Sequence, residues 1–198
     1  VAAEPAPLPG LILASASPRR RELLAQTGLA FEVVPAAIDE TPRTGEAAAH
    51  YVARMAREKA QAVARRFPES AVLGADTSVV LDEVILGKPD SAQAAQAMLE
   101  SLSGRCHQVM TAVALVRRGS DTQCRLSCTE VEFAALSRAW IEAYIDSGDP
   151  VDKAGAYGIQ NAAGLKIRRI RGSYSGVVGL PLFDTARLLE AAGLLMPA

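Results

Sequence analysis

Apolar and polar positions along this chain switch between a period of about two residues and one of about 3.6, and the switches mark out strands and helices. Residues 11–24, LILASASPRRRELL, open with a short apolar run, pass through a serine-rich turn and enter a helix at Pro18. Ser17 suits the N-cap and Pro18 the first helical position, where a missing N–H leaves nothing unsatisfied. That helix ends near Gly28, and Phe31 to Val34 read as a strand. Thr44 to Phe67 is predicted to be a long helix, capped by Thr44 and stopped by Pro68. Val52, Met55, Ala56, Ala60, Val63 and Phe67 fall on one side of it, and Arg54, Arg57, Glu58, Gln61 and Arg65 on the other. Ala71 to Leu81 is an apolar, β-branched run that reads as a buried strand, and Asp82 and Glu83 turn it into a second strand, Val84 to Leu86.

Farther on, Asp90 or Ser91 caps a helix that runs to about Ser103 and stops at Gly104. His107 to Val116 and Cys124 to Phe133 are predicted strands joined by the polar loop RRGSDT, hence antiparallel neighbours. Ser137 caps a helix that turns Trp140, Ile141, Tyr144 and Ile145 inward and ends at Gly148. Strands near Leu165 to Ile170 and Tyr174 to Val178 precede a last helix from Pro181 through Leu189. Strands and helices that do not strictly alternate indicate an α/β (mixed α+β) fold, a large mixed β-sheet flanked by helices. The expected organisation is a flexible N-terminal tail, 1–10, followed by a single domain, 11–198. No G-x-G-x-x-G follows a strand, which argues against a dinucleotide fold.

Composition narrows the partners. With 49% hydrophobic and 22% charged residues the chain has enough apolar surface for a real core. A formal net charge of −1 gives no global field to recruit nucleic acid, so positive charge must act locally. Cys106, Cys124 and Cys128 have neither a paired framework nor metal-ligand spacing and read as free thiols in a reducing compartment. The opening VAAEPAPLPG lacks the basic start and apolar run of a signal peptide, and no run reaches membrane-span length. The expectation is a cytoplasmic protein with no membrane or nucleic-acid partner.

Candidate chemistry begins at the first helix. Arg19, Arg20 and Arg21 oppose the positive end of its dipole, at ~0.3 to 1 kcal/mol each, so an anion is expected there. A strand feeding a loop and a helix N-terminus is also a phosphate-binding arrangement. The plainer alternative is a solvated basic turn with Glu22 as local partner. Lys59 sits in the middle of an apolar helix face, where an ammonium must snorkel, pair or serve a site. Asp76 and Thr77 interrupt a buried strand, and a carboxylate there needs partners or a metal. Lys88 is set between a flexible glycine and a rigid proline. Asp39 and Glu40 form an acidic pair, DPVDKAGAYGIQ is a small-residue segment that backbone could bring close to a ligand, and His107 reads as structural.

Taken together, LASASPRR at 13–20, the acidic pair at 39 and 40, REKA around Lys59, GADT at 74–77, GKP at 87–89, LSGRCHQVMTAVAL at 102–115, DKAGAYGIQ and GSYSGVVGLPL closely resemble the Maf family of nucleoside triphosphate pyrophosphatases, some first described through effects on septum formation. The resemblance implies a two-lobed fold with a cleft, similar to the inosine triphosphate pyrophosphatases, and a homodimer. It implies hydrolysis of a nucleoside triphosphate to the monophosphate and pyrophosphate with a divalent cation, Mg²⁺ or Mn²⁺, and it points to the branch that acts on dTTP and UTP. Carried over by motif, Asp76 is similar to the proton acceptor and Arg19, Thr77 and Gln160 to the base-specificity positions. Ser15, Arg20, Lys59 and Lys88 match phosphate-site positions, and Asp39 or Glu40, with Asp76, the metal-facing carboxylates. Rival readings are a non-catalytic nucleotide-binding regulator of cell division and a pyrophosphatase for non-standard purine triphosphates.

Overall fold

The computed structural model describes residues 10–196; residues 1–9, and with them nearly all of the expected tail, lie outside the described residues. Gly10 is already tied to the sheet, its carbonyl accepting the Ala71 N–H at 2.9 Å. In chain order the elements are β1 (Leu11–Leu13), α1 (Pro18–Ala25), β2 (Glu32–Val33), α2 (Ala48–Ala64), β3 (Ala71–Leu81) and β4 (Val84–Leu86). There follow α3 (Ala92–Leu102), β5 (Cys106–Val116), β6 (Gln123–Phe133), α4 (Arg138–Asp146), β7 (Ile167–Arg171), α5 (Tyr174–Val178) and α6 (Leu182–Ala191), with short 3₁₀ turns between α4 and β7.

One seven-stranded mixed sheet holds them, in the order β2-β1-β3-β5-β6-β7, with β4 pairing β3. β1 runs parallel to β2 and β3, and the remaining pairs are antiparallel. The pairing leaves a gap that matters. β1 covers β3 only at residues 71–73, and β4 covers the same edge only at 79–81. Residues 74–78 of β3 therefore pair with β5 on one side and face an open cleft on the other.

Side chains alternate along β3, so its two faces build different cores. Val72, Ile12, Ala112 and Ala114 pack under Val52, Ala56, Ala60 and Val63 of α2. On the opposite face Leu73 and Ala75 meet Leu23, Leu24, Val178, Leu180 and Leu188, from α1, α5 and α6 and the turn between the last two. Farther along that face, Val79, Leu81, Val109, Val131 and Phe133 pack with Leu99, Leu102, Ile141 and Tyr144 of α3 and α4. α2 lies unusually close to the sheet because Gly74 has no side chain: a Cβ there would stand 2.4 Å from the Ala56 carbonyl oxygen and 2.7 Å from the Ala60 nitrogen.

Two expectations need correction. The long helix starts at Ala48, not Thr44, and its cap, Ala47, makes no side-chain bond; residues 44 and 45 form a turn, and Glu46 is drawn to Arg54. Tyr174–Val178, expected as a strand, is a short helix, because Ser173 accepts the Gly176 N–H at 2.9 Å and starts a helical turn. The inward set on α4 is as expected: Ile141 and Tyr144 are buried, and Trp140 and Ile145 are half-buried and pack against the same core. The caps Ser17, Ser91 and Ser137 all accept the expected backbone N–H groups.

Candidate active site

The open edge of β3 forms the floor of a cavity of about 1020 Å³, ample for a triphosphate-sized ligand. Ser15, Arg19, Arg20, Glu40, Lys59, Asp76, Thr77, Lys88 and Gln160 all line it. Asp39 does not: its carboxylate accepts the Thr41 N–H at 2.9 Å and the Thr41 hydroxyl at 2.6 Å, closing a tight local turn. Of the acidic pair, only Glu40 turns into the cleft.

Alternation along β3 divides the floor into two halves. Asp76 points to the α2 side, where Lys59 Nζ donates to its Oδ1 at 2.8 Å and to Glu40 Oε2 at 2.7 Å. Lys59 and Asp76 are both buried, so the lysine neither snorkels nor stands alone; one ammonium ties two carboxylates together. Two neighbouring carboxylates are the hard oxygen donors that Mg²⁺ or Mn²⁺ prefers. Among the described residues no group of three His, Cys, Asp or Glu side chains could hold a metal. The pair nevertheless fits a cation of this kind, because Mg²⁺ commonly takes one or two carboxylates and completes its shell with phosphate oxygens and water.

Thr77 points to the other side and meets Arg20. Arg20 Nη2 donates to Thr77 Oγ1 at 3.1 Å, its Nε to the Gly179 carbonyl at 2.8 Å and its Nη1 to Ser15 Oγ at 3.4 Å. Thr111 on β5 adds a bond to Thr77 Oγ1 at 3.0 Å. Burial lowers the Arg20 pKa, and the charges of Asp76 and Glu40 oppose that effect. Arg20 thus stands in the first turn of α1, at the positive end of the helix dipole, where an anion is favoured.

The far wall comes from 152–161. Asp149 organises it, accepting bonds from Tyr144 Oη, Asn161 Nδ2 and, at 3.2 Å, Lys153 Nζ. Lys153 also reaches Asp152 Oδ1 at 2.6 Å, and Asp152 in turn pairs with Arg19 at 3.4 Å across the cleft. Gln160 and Lys88 are both exposed at the rim, and Lys88 follows Gly87, whose carbonyl accepts the Gly155 N–H at 3.0 Å. Within this wall Gly155 has φ +68°, and a Cβ there would stand 2.8 Å from Val79, so the turn accepts no other residue comfortably. His107 lies away from the cleft lining, buried, with Nε2 bonded to Tyr157 Oη at 2.7 Å.

Sequence reasoning did not single out Tyr51, Thr111, Asp149 or Lys153. Lys153 had a signal, a lysine within a small-residue segment, but the other three are ordinary-looking helix, strand and turn residues whose bonds span 5 to 65 positions.

Comparison with known proteins bears on the whole chain. The family described as "Maf-like protein" matches residues 10–192. The dTTP/UTP pyrophosphatase of Methylobacillus flagellatus is 54% identical over 189 residues, covering 94% of this chain and 94% of that protein. The dTTP/UTP pyrophosphatase of Myxococcus xanthus is 56% identical over 187 residues, again covering 94% of each. Among solved structures, a nucleoside-triphosphatase (dITP/XTP pyrophosphatase) from Mycobacterium abscessus gives a TM-score of 0.49 at 17% identity, covering 92% of this chain and 93% of that one.

Proposed function

The chain belongs to the Maf family, and on that premise we propose that it hydrolyses dTTP and UTP to the nucleoside monophosphate and pyrophosphate by attack of water at the α-phosphate. The observation that carries this reading is the Glu40–Lys59–Asp76 cluster facing Arg20 across the open edge of β3. Cleaving a phosphoanhydride needs cations on the leaving pyrophosphate and a base near the attacking water. Arg20, Lys59 and Lys88 serve the first need, with the Ser15 hydroxyl as a further hydrogen-bonding group and the positive end of the α1 dipole alongside. Asp76 serves the second: held by Lys59, its carboxylate orients the water and takes up its proton. Glu40 and Asp76 would hold the divalent cation, Mg²⁺ or Mn²⁺, which supplies charge neutralisation to the phosphate oxygens when bound.

Gln160, Thr77 and Arg19 read the base. Uracil and thymine present an acceptor, a donor and an acceptor along the pairing edge, and the Gln160 amide can match a neighbouring donor and acceptor. A wrong base leaves polar groups unpaired at ~1 to 3 kcal/mol each, enough to separate dTTP and UTP from GTP and ATP. The same reading takes the active form to be a cytoplasmic homodimer.

The test is a panel of triphosphates with Mg²⁺, scored for substrate lost and for pyrophosphate against orthophosphate released. dTTP and UTP should be consumed well ahead of GTP and ATP with pyrophosphate as product, and Gln160→Ala should shrink that ratio. Binding without turnover would favour a regulator, and a preference for non-standard purines would favour the other rival.

A further inference from the structure

Glu40 has a placement problem that the cluster alone does not solve. Between Val34 and Arg43 the chain has no regular secondary structure, and the Glu40 side chain is 52% exposed. A carboxylate on such a segment would sample many positions unless its backbone were fixed. Among the described residues, three side chains of α2 hydrogen-bond residues 40 and 41. Tyr51 Oη donates to the Glu40 carbonyl oxygen at 2.8 Å, Arg54 Nη2 donates to the Thr41 carbonyl at 3.2 Å, and Lys59 Nζ holds the Glu40 carboxylate at 2.7 Å. Lys59 fixes the end of the side chain, whereas Tyr51 fixes the backbone from which that side chain departs.

We infer that Tyr51 is a positioning residue for Glu40: its phenol hydroxyl clamps the Glu40 carbonyl so that the carboxylate faces Asp76 and can share a divalent cation with it. The inference rests on the reading of Glu40 and Asp76 as metal-facing carboxylates. The hydroxyl is suited to the task. Tyr51 is buried, its ring lies 5.6 Å from the Arg54 guanidinium, and a phenol is an O–H donor at neutral pH. It stays a neutral donor throughout the physiological range. Tyr51→Phe removes that donor and keeps the ring, so packing is left in place.

The experiment titrates Mn²⁺ into the full chain with the non-hydrolysable analogue α,β-methylene-UTP, following free Mn²⁺ by electron paramagnetic resonance. Tyr51→Phe should raise the Mn²⁺ dissociation constant about three- to tenfold, the weight of one hydrogen bond. The UTP-to-GTP ratio should stay unchanged, and most of kcat should return at saturating metal. In a Glu40→Gln background the same substitution should have no further effect, because it acts only through Glu40. An unaltered Mn²⁺ affinity in Tyr51→Phe, or an equal loss with and without Glu40, would overturn the inference. Hydrolysis by the unsubstituted protein with no divalent cation present would sink both the metal reading of Glu40 and this inference, yet leave the pyrophosphatase reading standing.

Discussion

Gly74→Ala tests whether the packing of α2 on β3 sets the chemistry of the cleft. The added Cβ would stand 2.4 Å from the Ala56 carbonyl oxygen and 2.7 Å from the Ala60 nitrogen, and both atoms belong to helix backbone that cannot swing aside. Restoring ordinary contact needs a shift of roughly 1 Å between helix and strand. Overpacking of this kind costs ~1 to 3 kcal/mol, which in a chain of this size lowers Tm by about 3 to 10 °C. Lys59 lies between Ala56 and Ala60, and Asp76 lies two residues beyond Gly74, so the shift falls on the bond of 2.8 Å between them. Misplacing a catalytic group by about 1 Å can cost on the order of 100-fold in rate. The assay pairs thermal melting with pyrophosphate release from UTP at saturating substrate and Mg²⁺. Gly10→Ala is the control, since nothing lies within 4 Å of the new methyl group and the backbone there is not left-handed. If Gly74→Ala melted within about 1 °C of the parent and kept its turnover, the claim that this contact sets the Lys59–Asp76 geometry would fail.

Other substitutions separate chemistry from folding. Asp76→Asn leaves Lys59 bonded to Glu40, so melting should move only a few degrees while pyrophosphate release is largely lost; near-normal turnover would count against Asp76 as the base. Lys59→Met strands Asp76 in a buried position without its ammonium, so it should destabilise more than Asp76→Asn does, and urea titrations that ranked the two the other way would contradict the buried-pair account. Burial lowers the His107 pKa to about 4, so between the usual value near 6.5 and 4 the unfolded chain binds a proton that the folded one refuses. Stability should therefore fall as pH drops through that window, by about 3 kcal/mol in all, and urea unfolding of His107→Gln should show a flatter pH profile if the assignment is right.

How much of this was readable in the residues depends on the range of the forces involved. β3 was legible from end to end because a β-branched run with turn residues on both sides is a local signal, and the pairing of β5 with β6 followed from the short polar loop. Lys59 and Asp76 stood out because a charge on an apolar face or in a buried strand violates the pattern around it. Their mutual bond, across 17 positions, was not legible, since nothing local says that α2 crosses β3 at Gly74. Which of Asp39 and Glu40 lines the cleft turned on Thr41, whose N–H and hydroxyl both draw Asp39 into a local turn. Tyr174–Val178 misled because its tyrosine and valines favour strand, while one serine cap and the bond from Gly179 back to the Ser175 carbonyl at 3.0 Å decided for helix.

The central claim, that water attacks the α-phosphate of a pyrimidine triphosphate held between Asp76 and Arg20, is tested most directly by following oxygen from solvent. A single turnover of UTP in ¹⁸O-labelled water, with the products read by mass spectrometry, should place one labelled oxygen in UMP and none in pyrophosphate. Label in the pyrophosphate, or release of labelled orthophosphate, would contradict it.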